Sequence, residues 1–431
     1  MTVLDTAEAT EAAVPPPAAP KRPPVWVRIG RYLTQANQVM VVVYGLLIAL
    51  VIGALLLTFS TAVTRHAMGE LFSHPGSALG TVSSVIGRAY RALFEAAIVN
   101  PQQLWHSITT GQGWVITATP ISQTLVAATP LIIAGLGVGI GFETGIFNIG
   151  GASQVTLGAV CAAYVAVDVS MPSPWHVIAC VLAGMAGGAF AGAIPGVLKA
   201  YTGAHEVITT IMLNYIVGGL LIIALSSSNW QLQPPNSVTP DSKIVPPSAQ
   251  LPHLLGQGLP LTWGVLIALA AAVVGWWLLD RSTMGFRFRI TGASPHAART
   301  AGIDAKRTLI AVFLVSGAFV GLAGMVQLNG SDLFLQSSGP QGYASTIGFS
   351  AITVALLGRN RPLGIVLGAI LIGALVNGAV GVEAATGIST DLTTIVQAVM
   401  VLCVAAPAMV ARIFHLRPGN AVSLEFGGWG T

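Results

Sequence analysis

The amino-acid sequence predicts an all-α, polytopic membrane protein with about ten transmembrane helices. Three observations carry that prediction. Of 431 residues, 54% are hydrophobic and only 8% are charged, whereas a soluble domain carries about 25% charged residues. Long apolar runs recur along the chain at the length of a membrane crossing, because a helix needs about 20 residues to span a hydrocarbon core of ~30 Å. The Lys and Arg residues fall between these runs, and they fall unequally on the two sides.

Residues 1–38 are rich in Ala and Pro (AVPPPAAPKRPP) and read as a disordered cytoplasmic tail. The first apolar run begins near Val39, far from the start and without a small-residue cleavage site, so it reads as an uncleaved span. The apolar body then covers 39–415, and 416–431 form a second short cytoplasmic tail. Within the body ten segments are expected: 39–59, 114–142, 148–167, 175–198, 206–225, 261–279, 309–329, 344–357, 362–382 and 393–414. Threading them alternately from a cytoplasmic N-terminus leaves only Arg65, Arg88, Arg91 and Lys243, of the 19 Lys and Arg, outside. Acidic residues divide nearly evenly. A bias confined to basic residues is the mark of the positive-inside rule, and it places both termini in the cytoplasm.

The net charge of +4 is scattered over loops and tails, so it speaks for membrane orientation and lipid contact rather than nucleic acid. Cys161, Cys180 and Cys403 all lie in apolar runs, which gives neither a disulfide framework nor a zinc site.

Two external segments are long. Residues 60–113 carry Trp105, Trp114 and the mixed string YRALFEAAI, as expected of helices lying at the interface. Residues 226–260 have the Pro and Ser spacing of an irregular connector. Segment 344–357 is shorter than a straight span and is followed by Arg359 and Arg361, which fits a half-helix or a strongly packed short helix lining the interior.

The polar stretch 281–308 has six basic residues (Arg281, Arg287, Arg289, Arg299, Lys306, Arg307) against Asp304 alone, so it is assigned to the cytoplasm. Inside it, Ser294 suits an N-cap, Pro295 the first helical position, His296 to Ala301 the body of a helix of about two turns, and Gly302 its left-handed stop. So short a helix is marginal alone. It is either a capped turn or a segment docked on another protein, with Ala297, Ala298 and Ala301 allowing close approach.

A second interruption, GFETGIFNIGGASQ at 141–154, sets Glu143, Thr144, Asn148 and Gln154 at membrane depth. Polar side chains there must find partners or face water. Phe147, Asn148 and Gln154 are therefore candidates for a substrate pathway or for bonds between helices. Asn214, two turns into the fifth segment, is a candidate on the same ground, whereas Glu206 is explained by its place in a helix first turn. Glycine-rich strings such as AGMAGGAFAGAIPG read as close helix packing.

The sequence contains no G-x-x-x-x-G-K-[ST] phosphate loop, so ATP hydrolysis by that route would need a separate subunit. Carboxylates fall at span ends or in loops, unlike ion-coupled carriers that bury them. No catalytic constellation is apparent. A self-contained carrier or channel is the alternative.

Four ordered blocks, GIFNIGGASQ (145–154), HEVITTIMLNYI (205–216), GASPHAARTAGI (292–303) and AITVALLGRNRPLGIVLGAILIGAL (351–375), resemble the integral-membrane permeases of bacterial ABC importers for nucleosides, within the wider group of sugar and branched-chain amino acid permeases. The resemblance covers about 40–415. It implies a vitamin B12 importer-like fold with inverted repeats in helices two to five and seven to ten. It further implies substrate passing Phe147, Asn148, Gln154 and Asn214, and ATPase coupling through Ser294, Pro295, His296, Ala297, Ala298, Arg299, Ala301 and Gly302. The implied partners are ATP-binding cassette ATPase subunits, a related second permease and an extracytoplasmic substrate-binding protein. ATP and Mg would be bound on the ATPase and no cofactor by this chain. The substrate implied is a nucleoside, with simple sugars as the alternative.

Overall fold

The computed structural model describes residues 38–226, 232–234, 237, 239–256, 258–336, 345–387, 394–396, 398–399, 402–403 and 407–415. The expected tails, apart from Gln38, and much of the segment 393–414 lie outside the described residues. Among the described residues all regular structure is helical, and β pairing is limited to the isolated bridges Asp241–Gln336 and His253–Thr262.

In chain order the helices are α1 (Gln38–Ser60), α2 (Ala62–Gly69), α3 (Pro75–Ala97), α4 (Pro101–Thr110), α5 (Trp114–Glu143), α6 (Gly151–Asp168), α7 (Trp175–Thr202) and α8 (Glu206–Ser226). They continue with α9 (Gly264–Asp280), α10 (Thr283–Ala293), α11 (Pro295–Thr300), α12 (Ala305–Gln327), α13 (Ser345–Leu357), α14 (Pro362–Thr386) and α15 (Pro407–Ile413). A π turn at Leu328–Asp332 extends α12.

Among the described residues six helices are long and apolar enough to cross a membrane (α1, α5, α7, α8, α12 with its π turn, and α14), or seven if α9 and α10, bent by 63°, form one span. That count is coarser than the ten expected. The difference lies in α6, with 18 residues and polar Ser153 and Gln154 in its first turns, in α13, with 13 residues, and in the partly described last segment.

The centre of the bundle is α5, in which every residue from Ala128 to Gly141 is buried. A helix apolar on all sides is stable only when surrounded, and α5 is surrounded by α12, α13 and α14. Next to it, α7 and α12 cross on bare backbone: any side chain on Gly188 would strike Gly317 and Gly321, and one on Gly192 would strike the Phe313 carbonyl. Small residues permit this approach, and dispersion and packing hold helices together where lipid competes equally for apolar surface.

The segment 60–113 is helical, as expected, but it is also anchored in the bundle. The Asn377 amide on α14 donates to the carbonyls of Ala96 (2.6 Å) and Pro120 (3.2 Å), and Thr124 on α5 donates to the Ala97 carbonyl (2.6 Å). The connector 226–260 is irregular where described, yet it is clamped to the end of α12. Val245 N donates to Leu333 O (2.8 Å), Leu251 N to Asn329 O (2.9 Å), and the Asn329 amide to Ala249 O (2.9 Å). Buried His176 links this cap to α6 and α7 through Ser248 (2.9 Å) and the Val165 carbonyl (3.1 Å).

Candidate functional site

The polar interruption read at 141–154 is a loop, Thr144 to Gly150, between the last turn of α5 and the first turn of α6. It is short of backbone partners. Ile146 N still bonds Gly141 O (3.0 Å), and beyond it side chains take over. Asn148 is 1% exposed and Gln154 0%. The Asn148 amide donates to Gln154 Oε1 (3.2 Å) and to Ser316 Oγ on α12 (3.3 Å). Its Oδ1 accepts from Gly150 N (2.9 Å) and from Gln154 Nε2 (3.4 Å).

Asn214, from α8, completes the stitching. Its amide donates to the Ile149 carbonyl (3.0 Å) and its Oδ1 accepts from Ser153 N (2.9 Å). Ser153 N is one of the first-turn donors that a helix cannot satisfy itself, and the residue at the cap, Gly150, has no side chain to do it. The fit there is tight: a Cβ on Gly150 would lie 3.0 Å from Asn148 Oδ1 and 3.2 Å from Thr210 Cβ of α8. Phe147 is half-buried, tilted against Phe142 with ring centroids 5.2 Å apart. Asn148, Gln154 and Asn214 thus share one site, with Phe147 at its edge.

Ser316 and Thr210 belong to this site and were not picked out by sequence reasoning. The available signal was a hydroxyl in an otherwise apolar span, a weak one because Ser and Thr commonly bond their own helix. Glu206, explained from sequence by the helix dipole, also has a direct partner, Lys199 Nζ at 2.5 Å. Among the described residues no group of three or more His, Cys, Asp or Glu could hold a metal ion.

The second candidate region, 281–308, folds as its local pattern predicts. Ser294 Oγ accepts from Ala297 N (3.2 Å), Pro295 opens α11, and Gly302 has φ +72°. The helix is six residues long, with Ala301 as its C-cap. Pro295, His296, Ala297, Arg299, Ala301 and Gly302 are exposed. Ala298 differs from these neighbours: it is 0% exposed, turned inward, and its carbonyl accepts from Ile303 N (2.9 Å). α12 is capped by Asp304, whose Oδ1 accepts from Lys306 N (3.0 Å) and Arg307 N (3.2 Å).

Apolar helices long enough to span a membrane, packed around a buried loop of neutral polar groups, describe a polytopic membrane protein. The family pattern described as branched-chain amino acid transport system / permease component matches residues 121–405, and the chain belongs to this family of ABC-transporter permease components. As such it is a transport subunit of the membrane. Among its relatives, the guanosine ABC transporter permease protein NupP of Bacillus subtilis is 34% identical over 288 residues, covering 66% of this chain and 81% of the relative. The glucose ABC transporter permease protein TsgB13 of Haloferax volcanii is 34% identical over 291 residues (65% and 75%). The nucleoside ABC transporter permease protein NupB of Lactococcus lactis subsp. cremoris is 33% identical over 302 residues (68% and 81%). No solved structure matches the chain.

Proposed function

We propose that this chain is one permease subunit of an ATP-driven importer that carries nucleosides across the cytoplasmic membrane. The reading rests on the site at 144–154: Asn148, Gln154 and Asn214 offer amides at membrane depth and no fixed charge. A neutral ligand with many hydrogen-bonding groups needs a few such groups among apolar surface, and no counter-ion. The names of the relatives in Bacillus and Lactococcus support a nucleoside; the glucose permease keeps simple sugars as the second reading.

In this proposal the fold is the ten-helix vitamin B12 importer type, with α6, α9, α13 and the last segment joining the six long helices as spans, and inverted repeats in helices two to five and seven to ten. Both termini and 281–308 are cytoplasmic. The exposed side of α11, through His296, Ala297, Arg299 and Ala301, docks on separate ATPase subunits that bind ATP and Mg. A related second permease and an extracytoplasmic substrate-binding protein complete the assembly.

Cells carrying the whole system, given labelled guanosine or uridine with ribose or glucose as competitors, should take up the nucleoside undiminished by sugar. Loss of sugar uptake alone when this chain is deleted would move the assignment to the sugar branch. Orientation is checked separately with single cysteines at the exposed positions Thr300 and Ile244. An impermeant thiol reagent should reach Ile244→Cys on intact cells, and labelling of Thr300→Cys from outside would reverse the topology.

A further inference from the structure

We propose that Ser316 and Asn214 are positioning residues of the transport step: from α12 and α8 they hold the loop at 144–150 shut, and a shift of α12 passed on from α11 releases it. This rests on the importer reading above and adds a mechanism for opening its site. The loop has no regular structure between Ile146 and Gly150, and its seat depends on side chains from helices remote in sequence. With Asn148 and Gln154 buried, a ligand reaches them only if the loop moves.

The geometry supplies a trigger. Asn148 Nδ2 lies 3.3 Å from Ser316 Oγ, so a relative displacement of about 0.5 Å takes the pair out of hydrogen-bonding range. α12 runs unbroken from Ala305 to Gln327 and carries Ser316 near its middle. At its start it follows α11 through a short link: the bond from Ile303 N to the Ala298 carbonyl closes α11, and Asp304, two residues beyond Gly302, caps α12 itself. A force applied to α11 therefore reaches Ser316 along one helix, and packed elements answer such small shifts by switching between discrete arrangements. α8 holds the other end of the loop: Asn214 bonds the Ile149 carbonyl and Ser153 N from a helix that packs on the bundle through Leu213 and Val217.

The test uses the assembled complex in proteoliposomes, with Cys161, Cys180 and Cys403 replaced by Ala and a single reporter, Ile146→Cys, at a position 2% exposed. Labelling by a small methanethiosulfonate reagent should be slow at rest and about tenfold faster with ATP, the change that one hydrogen bond's contribution makes to an opening equilibrium. Ser316→Ala should raise the resting rate by a similar factor, and Ser316→Thr, which keeps the hydroxyl, should return it to the parent value. Ile149→Cys serves as a second reporter. The proposal is overturned if both reporters label equally with and without ATP, or if Ser316→Ala leaves the resting rate unchanged. The readout needs no transported ligand: a complex that opens with ATP yet carries no guanosine or uridine overturns the nucleoside reading and leaves the positioning role standing.

Discussion

The loops at 144–150 and 281–308 both interrupt apolar helices, and they are held in opposite ways. The first is buried and has its partners on other helices: Ser316 is 168 positions from Asn148, and Asn214 is 61 from Ser153. The second, beyond the packed helix α10, is largely exposed from 294 to 304 and there mostly holds itself, through Ser294, Asp304 and Gly302 within a few residues of the groups they serve. Water can replace a lost bond in the second region. It cannot do so in the first, where an unpaired backbone group keeps its full desolvation cost. Substitutions in the two regions should therefore differ in kind as well as in size.

The largest effect is expected from Asn214→Leu. It fills a similar volume but leaves the Ile149 carbonyl and Ser153 N without partners, at about 1–3 kcal/mol for each buried group. Uptake should be lost, and the detergent-solubilised complex should melt several degrees lower. An unchanged melting temperature would mean that the loop finds other partners and that the contrast between the regions is weaker than drawn.

Next come two substitutions on one turn of α11. Ala298→Glu forces a carboxylate into a site that is 0% exposed, a change costing about 3 kcal/mol or more when the charge has no partner. Its loss of transport would report local unfolding and say nothing of docking. Ala297→Glu, on the exposed side, should leave the melting temperature within error while lowering uptake and the recovery of ATPase subunits on purification. Normal uptake by Ala297→Glu would make α11 a capped turn without a partner.

The contrast also explains what could be read from the sequence. Ser294, Pro295 and Gly302 announce α11 because caps and left-handed stops are local chemistry. The apolar runs announce most of the helices for the same reason. Asn148 and Gln154 could be picked out as anomalous, polar groups in an apolar run, but their partners depend on how α6, α8 and α12 assemble, which no local pattern encodes. Ala298 shows the limit even in the legible region: its helix was predictable, whereas the side turned inward depends on the packing of α11 beside α12.

Removal of the α11 cap by Ser294→Ala should have a modest effect, about 1 kcal/mol and confined to α11. Hydrogen exchange of the Ala297 and Ala298 amides should rise with little change elsewhere. Faster exchange spreading to the Asn148 loop would instead show that α11 and the buried site are already coupled at rest.

The smallest effect expected is that of Asp304→Asn, and it separates two roles of one side chain. Asp304 caps α12 through Oδ1 and lies 3.3 Å from the Arg307 guanidinium through Oδ2. The Arg307 side chain is 90% exposed, so the ion pair is screened by water and salt and adds little. Asn caps a helix about as well as Asp, whereas Ala costs about 1 kcal/mol at such a position. Asp304→Asn should therefore match the parent in melting temperature and uptake at low and high salt, while Asp304→Ala should lower both. If Asp304→Asn is as damaging as Asp304→Ala, and more so at low salt, then charge rather than capping holds the start of α12, and the exposed loop depends on electrostatics that its geometry does not predict.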